Sequence, residues 1–295
     1  MSHASPSPPP RLLRRLRKVV AASLGIPLQD VDAHFDAQRI TVITPESDTP
    51  ARVPLETLIF DEDRPLFDGA PLPPDPPLAY ALLNKPKHVT STTRDPKDKQ
   101  NLAPYLRAMP PGCFPVGRLD RETTGLLLFS NDGDLASAIL RPDHQTTKTY
   151  WLWLDDELTE DDPRLAQFIT GLAHNGHHLS ARGARIIVCN EGFTELELTL
   201  TQGKKRQIRI MCRAMGLHLQ HLHRTRIGPL SDPTLPLGSW RPLTPLEVEA
   251  LWQAAGGRPE IYRRQLAALT ERAVALRAAG TAHVRLEHWL ATHSP

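Results

Sequence analysis

The sequence predicts an α+β fold in two parts, a small α/β unit followed by a larger domain built on a central, largely antiparallel sheet. Three observations carry this reading. The chain has 295 residues, about twice the ~150 of a typical domain. A proline cluster from Pro71 to Pro77 interrupts it and is too rich in proline to pair in a sheet, so it reads as a stiff linker. Beyond that cluster, strand and helix patterns mix. One strand alternates Leu196, Leu198 and Leu200 with Glu195, Glu197 and Thr199, as an antiparallel strand wet on one face does.

Residues 1–10 hold Ser and Pro with almost no apolar content and are expected to form a disordered tail. From Arg11 to Leu24, Leu12, Leu13, Leu16, Val19 and Val20 follow helical spacing while Arg11, Arg14, Arg15, Arg17 and Lys18 cover the other side, with Gly25 as the stop. Asp30 is placed to cap a second short helix running to Gln38, and Ile40 and Val42 lead a β-rich stretch reaching Ile59 and Phe60. Residues 11–70 are thus expected as one small domain and 71–77 as the linker. The larger domain, residues 78–256, contains strands at Ala79–Asn84, Gly125–Ser130, Lys148–Leu154 and Thr194–Leu200. Its helices are expected at Asp132–Leu140, capped by Asp132, at Asp162–Leu172, and after Thr244, where Thr244, Pro245 and Glu247 supply a cap, an N1 proline and a capping-box acid. Ala, Leu and Arg dominate residues 257–295, which suggests a helical extension.

Lys and Arg total 35 against 33 for Asp and Glu, a net charge of +2, so any affinity for nucleic acid must come from local clustering. No apolar run approaches the ~18 residues of a membrane span. The 3 cysteines are far apart and lack CxxC pairing, which excludes a disulfide scaffold and a thiolate zinc site. The basic N-terminus never becomes the uninterrupted apolar stretch of a secretory signal. A soluble, cytoplasmic protein is expected.

The clustering is found between Leu198 and Ser231, a stretch without an acidic residue that contains Lys204, Lys205, Arg206, Arg209, Arg213, Arg224 and Arg226. Ile208, Met211, Cys212 and Met215 fall at i, i+3, i+4 and i+7, Arg206, Arg209 and Arg213 lie on another face, and Gly216 ends the helix. Such a helix offers guanidinium forks to phosphates or carboxylates from a packed base. A second informative stretch, Gly117 to Gly125, places Asp120 between Arg118 and Arg121 just before an apolar strand. Flanking cations keep a carboxylate ionised, the form a covalent nucleophile needs, although the same spacing also suits a surface turn with incidental ion pairs. His218, His221 and His223, and His174, His177 and His178, lack acidic or thiolate partners at ligand spacing, so hydrogen bonding is expected of them rather than metal binding. Asn131-Asp132-Gly133 is turn chemistry, making Asp132 a helix cap rather than part of a metal-binding acid cluster with Asp134 and Glu122.

Five collinear motifs carry a resemblance: GRLD-x-x-T-x-GLLL-x-x-NDGDL at Gly117–Leu135, K-x-Y at Lys148–Tyr150, QGKKRQIRIM at Gln202–Met211, HLHRTRIGPL at His221–Leu230 and LPLGSWRPLT at Leu235–Thr244. Together they resemble the RsuA-type pseudouridine synthases of bacterial rRNA. LLNKPKHVTSTTRDP at Leu82–Pro96 is most similar to the large-subunit (23S) F subgroup. The resemblance implies a pseudouridine synthase fold, preceded by a diverged S4-like RNA-binding domain in the basic N-terminal unit. It implies that Asp120 attacks the target uridine, at C6 of the base or at C1′ of the sugar, that Arg209 pairs with Asp120, and that Tyr150 stacks on the target base and assists proton removal at C5. Arg118 would fill the space the flipped base vacates and Leu222 would form a pocket wall. Lys148, Lys205, Arg206, Gln207, Arg213 and Arg224 complete the expected substrate contacts. Two departures stand out: Ile210 replaces a second arginine of many relatives, and Ile43-Thr44-Pro45 stands where an Asn-Gly turn is usual.

Isomerisation of uridine is redox-neutral, so neither a small-molecule cofactor nor a metal is expected. The expected partner is ribosomal RNA or a ribosome-assembly intermediate, with the protein acting as a monomer and away from membranes. The competing class is a non-catalytic RNA-binding or ribosome-assembly factor using the same basic surface.

Overall fold

The computed structural model describes residues 13–92, 100–141, 146–278 and 284–293, and it divides into two compact units, residues 1–76 with 257–295, and residues 77–256. The expected tail at residues 1–10 lies outside the described residues.

In the first unit a short strand β1 (Arg14–Arg15) precedes α1 (Leu16–Leu24), and then come α2 (Val31–Asp36), β2 (Ile40–Thr44), β3 (Ser47–Ala51), β4 (Leu58–Ile59), β5 (Arg64–Phe67) and β6 (Ala70–Pro71). Helix α1 thus starts later than its periodicity predicts. Arg14 and Arg15 pair with Ile59 and Leu58, and the first helical amides, Leu16 N–H and Arg17 N–H, donate to Thr57 O and Leu55 O at 2.8 and 3.0 Å, satisfying donors that a helix start otherwise leaves open. Leu16 and Val20, one turn apart, are fully buried, and Gly25 closes the helix at φ 63°, a backbone that glycine adopts without a Cβ penalty. Asp30 does not cap α2 with its side chain; a 3₁₀ turn at Leu28–Asp30 leads into that helix instead. The sheet order is β3-β2-β5-β6. Contrary to expectation Pro71 pairs in this sheet, opposite Leu66, which an edge position permits because its missing N–H faces no neighbour.

The basic side of α1 is largely neutralised within its own unit. Arg14 pairs with Asp75 at 2.7 Å, Arg15 with Glu56, and Arg17 with Asp32 at 2.5 Å. The C-terminal helices, α8 (Arg258–Ala278) and α9 (Val284–His293), belong to the same unit. Leu266, Ala273, Leu286, Trp289 and Leu290 bury together with Leu58 and Phe60. Arg285 donates to Asp63 at 2.8 Å and lies 4.2 Å above the Phe60 ring.

The second unit contains β7 (Tyr80–Lys85), α3 (Ala103–Ala108), β8 (Phe114–Val116), β9 (Thr124–Ser130), α4 (Gly133–Leu140), β10 (Lys148–Leu154), α5 (Pro163–Thr170), β11 (Leu172–His174), β12 (His177–Leu179), β13 (Gly183–Asn190), β14 (Phe193–Leu200), α6 (Gln207–Ala214), β15 (Leu219–Ile227), β16 (Leu230–Ser231), β17 (Trp240–Pro242) and α7 (Pro245–Ala254). Its main sheet runs β13-β14-β10-β15-β9-β7-β17, with β16 on β15 and β8 on β9. Its pairings are antiparallel except β15 with β9, the largely antiparallel sheet that the sequence predicts. At that parallel seam Gly125 faces Arg224. Its φ is +107°, and a Cβ there would stand 2.3 Å from the Arg224 carbonyl oxygen, so only glycine lets the two backbones approach.

Helix starts follow the sequence. The Asp132 carboxylate accepts from Asp134 N–H and Leu135 N–H, Asp162 accepts from Arg164 N–H, and Thr244 with Glu247 forms the full capping box. Thr194, Leu196, Leu198 and Leu200 are buried along β14. The three leucines join Leu152, Leu222, Ile208, Met211 and Cys212 in one apolar cluster, while Ala81, Leu83, Leu119, Leu127 and Phe129 form another.

Candidate active site

Tyr150 is packed against both of these clusters, so the β10 strand brings its half-buried ring to the line where they meet. From the second cluster comes the loop between β8 and β9. Leu119 is buried there and anchors the chain, leaving the next residue, Asp120, half-exposed. From the first cluster comes α6, whose apolar face, Ile208, Met211 and Cys212, is buried while Arg209 emerges beside it. The distant Asp120, Tyr150 and Arg209 are therefore drawn toward one region by the packing of three separate elements.

The Asp120 loop is held from several sides. Its own turn is closed by Thr123 N–H donating to Asp120 O at 3.0 Å. Residues after β7 grip its outer side: His88 N–H donates to Arg121 O at 2.8 Å, and Arg121 Nε returns a bond to His88 O at 3.2 Å. Glu122 meets His88 at 3.2 Å and Lys87 at 3.8 Å. Lys85 is fully buried. Its Nζ donates to Pro86 O at 2.9 Å, Val89 O at 2.8 Å and, at 3.5 Å, Arg121 O. Burial pulls this ammonium down to about 8, and the negative charges of Glu122 and Asp120 oppose that fall.

Arg209 differs from the expected ion pair. Its Nη2 donates to Thr123 Oγ1 at 3.3 Å, its Nε is buried without a partner among the described residues, and no described hydrogen bond joins it to Asp120. The two act on each other at longer range. Burial lowers the Arg209 pKa, Arg206 lowers it further, and the Asp120 and Glu122 charges raise it.

The remaining expected contacts fall into two groups. Arg118, Lys205, Arg206 and Arg213 are exposed and present their charges to solvent, as an anionic partner requires. Leu222 is buried in the first cluster. The side chains of Arg224 and Gln207 both turn inward. Arg224 is 5% exposed and its Nε donates to Leu126 O at 2.6 Å, stitching β15 to β9 beside Gly125. Gln207 is 3% exposed, donates to Ser180 O at 3.0 Å and accepts from Lys204 N–H at 3.2 Å, which fixes the entry to α6. Lys148 is half-buried, donates to Thr146 O at 2.9 Å, and is pulled down to about 8 by burial and then by Arg224.

Three residues of this region escape a reading by sequence alone: Lys85, Ser91 and Thr123. Lys85 has a visible signal, a lysine before proline at the end of a largely apolar strand. Ser91 and Thr123 have none, because their role depends on which peptide groups the fold brings to them. Among the described residues no group of three or more His, Cys, Asp or Glu side chains comes together to hold a metal ion. Cys212 is packed among apolar side chains, and burial pushes its thiol up to about 12. No helix among the described residues is long and apolar enough to cross a membrane.

Comparison with known proteins agrees with the geometry. Residues 79–214 match the family described as RNA pseudouridylate synthase. The chain is 35% identical to the dual-specificity RNA pseudouridine synthase RluF of Escherichia coli over 176 residues, 60% of this chain and 58% of that protein, and so spans less than two thirds of that relative's length. Ribosomal small subunit pseudouridine synthase A of Escherichia coli is 30% identical over 239 residues, 80% of this chain and 99% of its own. A crystal structure of a pseudouridylate synthase superposes with a TM-score of 0.54 at 26% identity, covering 80% of this chain and 99% of that one. With its mixed sheet, its loop-borne Asp120 and this span of similarity, the chain belongs to the RNA pseudouridine synthase family.

Proposed function

We propose that the protein isomerises a uridine of ribosomal RNA to pseudouridine, with Asp120 as the nucleophile. The observation that carries this reading is the convergence of Asp120, Tyr150 and Arg209 from three elements, next to the exposed cations Arg118, Lys205, Arg206 and Arg213. A flipped uridine enters with its base against the flat Tyr150 ring while the cations hold its phosphates. The Asp120 carboxylate attacks C6 of the base or C1′ of the sugar, and the N1–C1′ bond breaks. The base turns, C5 bonds to C1′, the bond from Asp120 to the nucleotide breaks and returns the free carboxylate, the proton on C5 leaves with assistance from Tyr150, and N1 takes up a proton. Atoms and electrons balance within the nucleotide, so the reaction calls on no cofactor. The Arg209 guanidinium, held by Thr123 Oγ1, supplies the positive charge on the α6 side of the site.

The substrate reading rests on the named relatives and on the 23S-type motifs at Leu82–Pro96, and with it we propose that the protein acts in the cytoplasm, as a monomer. Asp120→Asn removes the nucleophile and leaves every cation in place. Pseudouridine formation on rRNA from cells lacking the protein should fall on the order of 10⁴-fold or more, with RNA affinity retained. An active Asp120→Asn protein would overturn the mechanism. Equal pseudouridine maps in rRNA from cells with and without the protein would overturn the substrate and favour the assembly-factor class.

A further inference from the structure

The peptide unit just before Asp120 is held by one side chain. Ser91 Oγ–H donates to Leu119 O at 2.7 Å, and the same oxygen accepts from Leu119 N–H at 3.1 Å. A hydroxyl is the smallest side-chain group that donates and accepts at once, so it satisfies both backbone groups of one residue. Ser91 and Leu119 are both buried, which leaves those backbone groups little access to water if the hydroxyl is removed.

Ser91 is itself fixed on both sides. Thr90 N–H donates to Gln100 O at 2.9 Å and Leu102 N–H donates to Thr92 O at 3.0 Å, tying the segment to the start of α3. On the far side of Asp120, the Arg121 carbonyl is gripped by His88 N–H and approached by Lys85 Nζ. Asp120, whose side chain makes no hydrogen bond among the described residues, therefore sits between two held neighbours, and on its N-terminal side the Leu119 side chain is held by packing and its backbone groups by one oxygen atom.

We propose that Ser91 is a positioning residue for the reaction: its hydroxyl sets the backbone of Leu119 so that the Asp120 carboxylate meets the reacting carbon, without touching the RNA. This rests on the assignment of Asp120 as nucleophile. A near-attack geometry tolerates little displacement, and a shift of about 1 Å costs roughly 10²-fold in rate. Removal of the hydroxyl should thus act on turnover and leave RNA binding, which the exposed cations supply, as it was.

The test compares Ser91→Ala, Ser91→Cys, Ser91→Thr and Asp120→Asn in the full chain, on rRNA extracted from cells lacking the protein, with a thermal melt of each variant. Ser91→Ala should lower kcat by about 10- to 100-fold with KM unchanged within about twofold. Ser91→Thr, which keeps the hydroxyl, should return to within a few-fold of wild type, and Ser91→Cys, with a weaker donor and acceptor, should fall between. If threonine does not fold, the order Ser, Cys, Ala carries the comparison. Wild-type kcat in Ser91→Ala beside a dead Asp120→Asn overturns the positioning role alone, as does a loss that appears in KM or that tracks melting temperature rather than the hydroxyl. An active Asp120→Asn overturns the nucleophile assignment beneath it.

Discussion

Replacing Gly125 by alanine tests the seam on which the site is built. The new Cβ would lie 2.3 Å from Arg224 O and 2.4 Å from Arg224 N, and both are backbone atoms that cannot swing aside. A non-glycine residue at this φ of +107° costs about 1–3 kcal/mol in strain. Relieving the clash parts β9 from β15, losing the pairing of Thr124 with His223 and of Gly125 with Arg224. The Arg224 Nε bond to Leu126 O is strained as well. At about 1 kcal/mol net for each lost bond, the total is about 3–6 kcal/mol. Two controls separate the causes. Gly176, at φ +74° with nothing within 4 Å, carries strain without a clash and should cost about 1–2 kcal/mol. Gly133, which opens α4 with nothing within 4 Å, should be neutral or stabilised by up to about 1 kcal/mol. Urea unfolding read by tryptophan fluorescence reports mainly the second unit, which contains Trp151, Trp153, Trp240 and Trp252, and ΔΔG follows from the midpoint at constant m. A Gly125→Ala cost no larger than that of Gly176→Ala would refute the close approach of the two strands.

The exposed cations predict a salt signature: Lys205→Ala and Arg213→Ala should each reduce the slope of log K against log salt by about 1 without changing sequence preference, and an unchanged slope would place those side chains off the RNA. The Arg241 junction predicts an acid limb. Asp232 donates nothing and accepts from Arg241 Nε at 2.6 Å, while Glu247 accepts from both Arg241 Nη atoms at 2.9 and 2.7 Å. These bonds, led by those from Arg241, hold each carboxylate at about 2. Native values below the unfolded ones mean stability that is full above about pH 4.5 and is lost as pH falls toward 2. Arg241→Ala should therefore cost about 1.5–3 kcal/mol at pH 7, with the difference from wild type shrinking across that window in pH-dependent melts. A difference that stays constant down to pH 2 would contradict it.

What the sequence makes legible is what neighbours in the chain decide. Asp132, Asp162 and the Thr244–Glu247 box start helices through bonds to amides two or three residues away, and the alternation of Leu196, Leu198 and Leu200 points one face inward whatever the strand's partner. The buried face of α6 is legible for the same reason. The inward turns of Arg224 and Gln207 are not, because Leu126 O and Ser180 O are brought to them only by strand order and loop path. The start of α1 fails likewise: Arg14 and Arg15 fit a helix by spacing, but a long-range pairing with Leu58 and Ile59 takes them into a strand. For Arg209 the motif gives the neighbourhood and misses Thr123, whose hydroxyl takes the bond expected for the aspartate.

One of the first unit's two apolar clusters joins segments far apart in the chain, and this gives its biosynthesis an unusual timetable. Leu58 and Phe60 leave the ribosome first, and Leu266, Leu286 and Trp289, which cover them, are translated roughly 200 residues later, on the order of 10–40 s at typical elongation rates. Through that interval the nascent chain displays an apolar surface that a chaperone can grip, and the larger unit can mature before the smaller one closes.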